Sequence, residues 1–514
     1  MSDQKGELDA ARAETLSESA KADHVEEPAS LDEGELFLRA NNISDAGLQS
    51  LLLDAAHVKR LVRKIDARVL PLLAGTYVLQ YIDKQALGYA AVFDLFSDTG
   101  ISQTQYSWFA SIFYLAYLVA EYPWTALAQR TRMAKVVSGC VIAWGAVLAA
   151  TAACGNFAGL AACRFLLGVF EAPITPCFMM IVSMWYTREE QPFRAGLFYS
   201  CNGVGSMIGG ILFYAVGQID SFPVWKAIFL LCGGVTILWG ALLLVFLPDS
   251  VLRARHFTVH EKATLVGRAK VSHTGVLNRH IKPYQIREAL LDPQVWILVL
   301  FALLNETING GVANFGKLII KGLVQDPLRT TALGIPQGAF QVLWILTGAY
   351  IASRFRGVRT YVMMAYMLPT IVGTSLMWRL DREKYKVGVL MGYYICGSFV
   401  SALVVALQMP ASNLGGYTKR VTGTAMVFAA YCVGNIIGPH AFLEEEAPTY
   451  PTGCVVIFSC AVGQVMLAFV LRMLLVWRNK KRDEVAAAVS GDNETMSDMA
   501  DLTDLENPHF RYVL

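Results

Sequence analysis

The sequence predicts an all-α membrane protein with twelve transmembrane helices in two six-helix halves. Only 16% of the 514 residues are charged and 55% are hydrophobic, whereas a soluble protein carries about 25% charged residues. Runs of about 20 apolar residues recur along the chain, and each is long enough to cross a bilayer. A polar stretch, residues 248–292, divides these runs into two groups of six.

The apolar runs define two halves, residues 66–247 and 293–477, joined by a central loop, residues 248–292. Proline, glycine or charge interrupts several runs, which transporters tolerate where broken helices line a cavity. Numbered in chain order, the expected spans 1 to 12 cover about residues 69–93, 105–127, 135–154, 157–184, 193–217, 224–247, 293–320, 330–352, 360–378, 387–409, 421–441 and 453–477.

Polar tails flank the spans. Residues 1–65 lack an apolar core after a basic start, so we expect no cleavable signal peptide. Residues 1–50 and 483–506 are rich in Asp, Glu, Ser and Ala with few aromatic residues, which favours disorder. We therefore expect a disordered N-terminal tail over residues 1–65 and a C-terminal tail over residues 478–514.

Lysine and arginine concentrate on the side of the spans that holds the N-terminus. Arg130 and Arg132 follow span 2, Arg354 and Arg356 follow span 8, and a further basic run follows span 12. Basic loops remain in the cytoplasm, so we expect both termini there, although the loop after span 9 is also basic. We expect the plasma membrane as the location, while the vacuolar membrane is reached by the same insertion route.

Three short strings recur at equivalent places in the two halves. Each match is weak alone, but all three have nearly the same offset, which indicates two parallel halves with a substrate site between them. The matched pairs are residues 128–132 and 352–356, 186–188 and 417–419, and 205–209 and 434–438.

Several strings resemble those of one transporter family over about residues 60–482. Residues 164–172, with Arg164 and Gly168, resemble the fourth-helix Arg-x-x-x-Gly motif of the major facilitator superfamily. Further strings are similar to the fungal allantoate permease family of anion–cation symporters. These include Tyr81-Ile82-Asp83-Lys84, Glu121-Tyr122-Pro123, Ser183-Met184-Trp185-Tyr186 and Leu247-Pro248-Asp249-Ser250.

The resemblance implies the major facilitator fold and transport by alternating access. Known members carry small organic anions such as allantoate, nicotinate, pantothenate or biotin, often with protons. The loop at residues 127–133 lacks the superfamily's usual Asp-Arg and Gly, which puts its usual gating contact in doubt. Span 5 lacks the Gly-Pro signature of drug/proton antiporters, which favours uptake over efflux.

Three residues of span 4 lie nearly on one helix face. Arg164 and Glu171 are seven residues apart, and Gly168 lies between them. Charged groups inside a membrane normally face a bundle interior or a water-filled path. Glu171 is therefore the candidate for proton coupling, with a structural glutamate bonded to a neighbouring helix as the alternative.

Asp83 in span 1 is the expected partner of Arg164. At about 1.5 Å per residue, Asp83 lies about 15 Å and Arg164 about 10 Å below the outer ends of their spans. We expect the two to pair in one conformation and to part in another; a permanent structural ion pair is the alternative. Glu121, near the cytoplasmic end of span 2, is expected to form a gate pair with Arg130 or Arg132.

Polar residues in four spans are candidates for substrate contact. Lys84 either attracts an anionic substrate or extends toward the interface. In span 7, Asn305 and Asn309 are four residues apart with Glu306 beside them, which favours substrate contact over helix packing. Lys317 also interrupts this span. The remaining candidates are Gln337 and Gln341 in span 8 and Asn435 in span 11.

These patterns predict a proton-coupled importer of a small organic anion. An exporter of a secondary metabolite and a non-transporting nutrient sensor are the alternatives. An enzyme is not expected, because the chain has no phosphate-binding glycine loop, metal-ligand cluster or serine nucleophile motif. We expect a monomer in the lipid bilayer that binds an anionic small molecule and protons, with no cofactor, metal or nucleic acid.

Overall fold

Twelve long helices follow one another in the predicted order, in two halves of six. A computed structural model describes residues 33–488 and 502–514, except residues 42, 44, 188–189, 220, 255, 272–281 and 508–509. All regular elements among these residues are helices. In chain order the spans are Leu70–Val92, Gln103–Arg130, Met133–Thr151, Phe157–Glu171 with Ile174–Trp185, Gln191–Val216, Val224–Phe246, Pro293–Val324, Pro327–Arg354, Arg359–Arg379, Lys386–Cys396 with Phe399–Asn413, Tyr417–Ile437 and Pro451–Ala488.

Spans 4 and 10 hold the same place in the two halves, and each is broken near its middle. In span 4 the break falls at Ala172 and Pro173, because proline lacks a backbone N–H and its ring obstructs the preceding turn. In span 10 it falls at Gly397 and Ser398. A Cβ on Gly397 would lie 2.6 Å from Gln337 Nε2, so the glutamine side chain packs closely against the break.

Four of the spans that join the halves are interrupted by polar residues. Eight of the twelve, within the part of the chain that the structure describes, contain an apolar stretch long enough to cross a bilayer. The other four are spans 1, 2, 5 and 8, which pack against the opposite half. Span 5, for example, meets span 8 where a Cβ on Gly203 would lie 3.0 Å from the Gly338 carbonyl oxygen. Protein rather than lipid covers these faces, so they tolerate polar side chains.

The two halves touch at one end and separate at the other. We call the side holding both chain ends the terminal face, and the other side the opposite face. At the opposite face the Tyr106 hydroxyl donates to the Asn314 carbonyl (3.1 Å), and Lys321 Nζ donates to the Val92 carbonyl (2.7 Å). At the terminal face, spans 2, 4, 10 and 11 line an open mouth, where Tyr122 is 81% exposed. The conformation is closed at the opposite face.

The same glycine contact occurs once in each half. A Cβ on Gly205 of span 5 would lie 2.8 Å from the Val78 carbonyl oxygen in span 1. A Cβ on Gly434 of span 11 would lie 2.5 Å from the Leu303 carbonyl oxygen in span 7. The recurrence of this contact supports the predicted parallel repeat.

The N-terminal tail is ordered where it meets the central loop. Helices Glu33–Ala40, Asp45–Leu53 and Ala55–Arg68 precede span 1, and Leu38 and Leu48 are buried against Ala263. Ala263 belongs to helix Val259–Val271 of the central loop, which also contains helix Pro283–Leu291. The expectation of disorder over residues 1–65 is wrong for these three helices, because their leucines find an apolar partner more than 200 residues away.

The C-terminal segment returns to the second half. Lys419 Nζ lies 2.6 Å from Asp504, 2.9 Å from Asp292 and 2.9 Å from Glu288, and Arg478 lies 2.7 Å from Asp292. We call these five residues the terminal cluster. Span 12 continues as a helix to Ala488, and Asp504 is held by Lys419. The expectation of disorder over residues 483–506 is therefore wrong for residues 483–488 and 502–506.

Backbone bonds extend this attachment to other spans. Val513 donates its N–H to Asn413 Oδ1 (2.7 Å), and Arg359 donates its N–H to the Leu514 carbonyl (2.8 Å). Burial raises the pKa of Asp292, but the hydrogen bond from Arg478 and the charge of Lys419 outweigh it and hold the pKa below its usual range. Ionised Asp292 thus stabilises the fold at neutral pH, and this contribution is lost as the pH falls through the lowered pKa.

We expect Asp504→Asn to destabilise the protein by about 3–5 kcal/mol, because it removes one partner from a buried charge cluster. The matched control is Asp483→Asn, whose ion pair with Arg511 is exposed and contributes at most about 1 kcal/mol. The apparent melting temperature of each detergent-solubilised variant is measured by size-exclusion chromatography after heating. Equal melting temperatures for the two variants would contradict a stabilising role for the terminal cluster.

Candidate functional site: a cavity between the halves

A cavity of about 870 Å³ lies between the two halves and opens at the terminal face. Its lining alternates between aromatic rings and polar side chains. The charged residues that line it are Asp83, Lys84, Glu121, Arg164, Glu171, Glu306 and Arg420. Most of the ionisable residues predicted to act within the spans therefore line this one cavity.

Span 4 presents its predicted stripe to the cavity. Arg164, Gly168 and Glu171 are all buried, and Glu171 Oε1 accepts a hydrogen bond from Gln80 Nε2 of span 1 (2.8 Å). The Arg164 guanidinium lies 5.8 Å from the centre of the Phe229 ring, and its Nη2 has no hydrogen-bond partner. Arg164 and Glu171 of the stripe therefore bring to the cavity wall one bonded carboxylate and one guanidinium with an unpaired nitrogen, whereas Gly168 packs against span 2.

Asp83 and Arg164 do not pair in this conformation, although both line the cavity. Asp83 Oδ2 accepts a hydrogen bond from the Thr236 hydroxyl of span 6 (2.9 Å), and its Oδ1 has no partner. Asp83 and Arg164 remain within Coulombic range of each other. A permanent ion pair is therefore inconsistent with the structure, whereas pairing in another conformation stays a prediction.

Lys84 lies inside the cavity rather than extending to the interface. Its Nζ is 5.4 Å from the centre of the Tyr114 ring and 5.9 Å from that of Phe113. It is also within Coulombic range of Glu171 in the first half and Glu306 in the second. Lys84 is thus the cation shared by the central carboxylates of both halves.

Span 7 and span 11 form an amide–carboxylate cluster on the other wall. Glu306 has no exposed surface, and its Oε2 accepts hydrogen bonds from Asn435 Nδ2 (2.6 Å) and Asn309 Nδ2 (3.0 Å). Asn309 also donates to Asn435 Oδ1 (3.0 Å). Glu306 Oε1 has no partner, so one carboxylate oxygen remains available within the cavity lining.

Two predicted substrate contacts lie outside the cavity lining. Asn305 donates to the Phe399 carbonyl (3.1 Å) and to Gln464 Oε1 (3.4 Å). Helix geometry explains the difference, because adjacent residues point about 100° apart and the cavity face of span 7 centres on Glu306 and Asn309. Gln337 packs beside Gly397. Both expectations are corrected: in this conformation these side chains pack spans together.

Gln341, by contrast, lines the cavity at the contact between halves. Its side-chain amide and the Tyr81 hydroxyl are 3.1–3.2 Å apart. Span 8 therefore places one of its two predicted glutamines at the site and uses the other for packing.

The expected gate pair of Glu121 with Arg130 or Arg132 is not formed in this conformation, and both arginines are exposed. Glu121 lines the cavity near its mouth, whereas Arg130 is exposed at the last residue of span 2. Nine residues of helix separate them, about 13 Å at 1.5 Å per residue. That distance prevents direct pairing while span 2 remains helical.

Sequence reasoning missed several cavity residues. Gln80 holds Glu171, and it lies four residues before Lys84 on the same helix face, a spacing that was available in the sequence. Tyr114 carries no such signal, since aromatic residues are common in spans. The other missed polar residues of the lining include Gln85, Asn202 and Arg420.

The chain is similar in sequence to known membrane transporters. Residues 73–439 match the family model of the Major Facilitator Superfamily. An uncharacterized transporter of Schizosaccharomyces pombe is 35% identical, with 92% of each chain covered. The allantoate permease of Saccharomyces cerevisiae is 31% identical, covering 89% of this chain and 86% of the permease. The thiamine pathway transporter of the same yeast is 30% identical, covering 88% and 86%.

Solved structures support the same fold. A bacterial homologue of the human lysosomal transporter Spinster, in an inward-facing and unoccupied conformation, has a TM-score of 0.55 at 16% identity, covering 79% of this chain and 94% of that one. A variant of the fucose:proton symporter of E. coli also has a TM-score of 0.55 at 13% identity, covering 78% and 98%. At such low identities these likenesses concern the fold alone.

We expect Gly168→Ala to destabilise the protein by about 1–3 kcal/mol, because overpacking in a close-packed interior is unfavourable. An added Cβ would collide with the Phe113 carbonyl oxygen of span 2 and lie 3.0 Å from the Ala116 Cβ. Gly139→Ala in span 3 is the matched control, since nothing lies within 4 Å of its Cβ position. Melting temperatures of the two variants are compared; an unchanged value for Gly168→Ala would show that spans 2 and 4 can separate freely.

Proposed function

Since the chain belongs to the Major Facilitator Superfamily and is a multi-pass membrane transporter, we propose that it imports a small organic anion together with protons. The observation that carries this proposal is one cavity that holds both an unpaired guanidinium, Arg164, and central carboxylates from both halves, Glu171 and Glu306. Guanidinium groups bind carboxylates with two parallel hydrogen bonds. The allantoate permease among the relatives is named for such a carboxylate.

The charge balance of the lining supports coupling to protons. Four carboxylate residues, Asp83, Glu121, Glu171 and Glu306, face three basic residues, Lys84, Arg164 and Arg420. An entering anion adds one more negative charge to a partly enclosed site of low dielectric constant, where like charges repel strongly. Protons that arrive with the anion offset this repulsion, and ionisable residues within spans commonly form such proton relays.

Alternating access provides the mechanism. The contacts that close the opposite face join span 1 to span 7 and span 2 to span 7, as in the bonds of Lys321 and Tyr106. If the halves rock so that these contacts break, the mouth at the terminal face closes and the cavity opens to the other side. With the terminal face in the cytoplasm, as the basic loops indicate, the present conformation is the one that releases substrate into the cell.

The proposal includes a location and an assembly state. We place the protein in the plasma membrane with both termini in the cytoplasm, acting as a monomer. The cavity lies wholly between the two halves of one chain, so a single chain supplies every part of the proposed path.

A screen for uptake into whole yeast cells tests the proposal. The chain is expressed in yeast cells that lack their own anion permeases, and labelled allantoate, nicotinate, pantothenate and biotin are supplied at acidic and neutral pH. We expect uptake of at least one carboxylate that is faster at acidic pH and abolished by a protonophore. Faster loss of a preloaded compound without uptake would instead identify an exporter, and binding without flux would identify a sensor.

We expect Glu171→Gln to abolish concentrative uptake while sparing counterflow exchange, because the amide keeps the bond to Gln80 but cannot carry a proton. Glu445→Gln, an exposed residue of the loop before span 12, is the matched control and should behave like the wild type. Accumulation and exchange are measured in the same vesicles with and without a pH gradient. Normal proton-driven accumulation in Glu171→Gln would exclude this residue from the coupling step.

A further inference from the structure

Lys317 of span 7 is a buried cation outside the cavity lining. It is 2% exposed, and no charged group among the described residues adds an electrostatic interaction with it. Its Nζ contacts the Tyr393 hydroxyl (3.3 Å) and lies 5.1 Å from the centre of the Tyr89 ring. An ammonium group held in a membrane protein without a carboxylate partner is energetically costly, so such residues mark substrate or ion paths.

The surroundings of Lys317 come from both halves. Span 1 contributes Tyr89 and Gly88, and a Cβ on Gly88 would lie 3.6 Å from the Lys317 Cγ. Span 8 contributes Gly334, where a Cβ would lie 3.6 Å from the Lys317 Cε. Tyr89 Oη has no hydrogen-bond partner. Spans 1 and 8 thus pack beside the lysine stem, and Tyr89 of the N-terminal half covers the ammonium group.

Lys317 lies on the closed part of the path. Ala313 and Asn314 line the cavity, and Lys317 follows them by about one helical turn toward the opposite face. One turn further, Lys321 donates to the Val92 carbonyl of span 1. The two lysines thus continue, toward the opposite face, the series of cations that Lys84 and Arg164 begin inside the cavity.

We propose that Lys317 is an anion-binding site of the conformation that opens at the opposite face. When the halves part there, span 1 carries Tyr89 and Val92 away from span 7, and the ammonium groups of Lys317 and Lys321 lose these partners. Lys317 then receives the carboxylate of an entering substrate before that group reaches Lys84 and Arg164. This inference rests on the proposed transport of an organic anion.

Sided transport kinetics test the assignment. Wild type, Lys317→Gln, Lys317→Arg and the control Lys226→Gln are compared in right-side-out and inside-out membrane vesicles, whose orientation is read from protease access to a C-terminal tag. Lys226 lies near the opposite face over the Trp225 ring, away from the cavity lining. The probe is labelled allantoate, or labelled nicotinate if the wild type moves no allantoate.

For Lys317→Gln we expect the KM measured from the opposite face to rise about tenfold or more, the size expected for losing a hydrogen bond to a charged group. The KM from the terminal face should stay within about twofold of the wild type. Lys317→Arg, which keeps the charge, should recover most of the loss, and Lys226→Gln should match the wild type. A purely structural lysine would change both sides alike.

The remaining outcomes separate failure of the Lys317 assignment from failure of the proposed function. An unchanged KM, or an equal rise from both sides, overturns the assignment of Lys317 while leaving the proposed function intact. A wild-type chain that moves none of the carboxylates contradicts the proposed function, and this inference with it. Lys317→Met provides a second neutral variant if the glutamine variant aggregates during size-exclusion chromatography; aggregation of both would overturn the assignment in favour of a structural role.

Discussion

The cost of placing charge in a membrane interior determines how this protein is arranged. Ionisable groups at that depth must face protein or water rather than lipid. Asp83, Arg164, Glu171 and Glu306 all meet this requirement at the surface between the halves. Because these residues occur on spans 1, 4 and 7, the faces of those helices must turn toward a common centre. The cavity and the contacts between the halves follow from this constraint.

The same constraint decided how much could be predicted from the sequence. Apolar length and the positions of charged residues were sufficient for the number, order and grouping of the spans, and for the stripe of Arg164 and Glu171. They were insufficient for Asn305, because one residue of helix rotation separates a cavity position from a packing position. Nor did they reveal that the terminal cluster is ordered, because Asp292 and Asp504 both pair with Lys419 although the three residues lie far apart in the sequence.

The central loop is divided between the halves. Its first helix, Val259–Val271, is joined to the N-terminal half by the ion pair of Arg268 with Glu190 (2.6 Å). Its second helix, Pro283–Leu291, is joined to span 11 by the ion pair of Glu288 with Lys419 (2.9 Å). Each half therefore carries its own part of the loop, and the covalent connection between the halves passes between these two helices. The rocking proposed above would therefore not require either ion pair to break.

The repeated glycine contact also places the central charges in register. A Cβ added to Gly205 would lie 3.0 Å from the Tyr81 Cβ, and a Cβ added to Gly434 would lie 2.7 Å from the Glu306 Cβ. Tyr81 in span 1 and Glu306 in span 7 therefore occupy equivalent positions in the two halves. Three residues further on, Lys84 is then equivalent to Asn309.

The N-terminal half thus supplies the cation Lys84 at the level where the C-terminal half supplies Asn309, and the carboxylate of Glu306 lies about one helical turn nearer the terminal face. In the transport mechanism proposed above, rotation of the halves changes the distance between Lys84 and Glu306, because the two residues belong to opposite halves. Because Lys84 also interacts with Glu171, the rotation alters how one cation is divided between two carboxylates. A proton or a substrate anion that replaces one of these interactions therefore favours one conformation over the other.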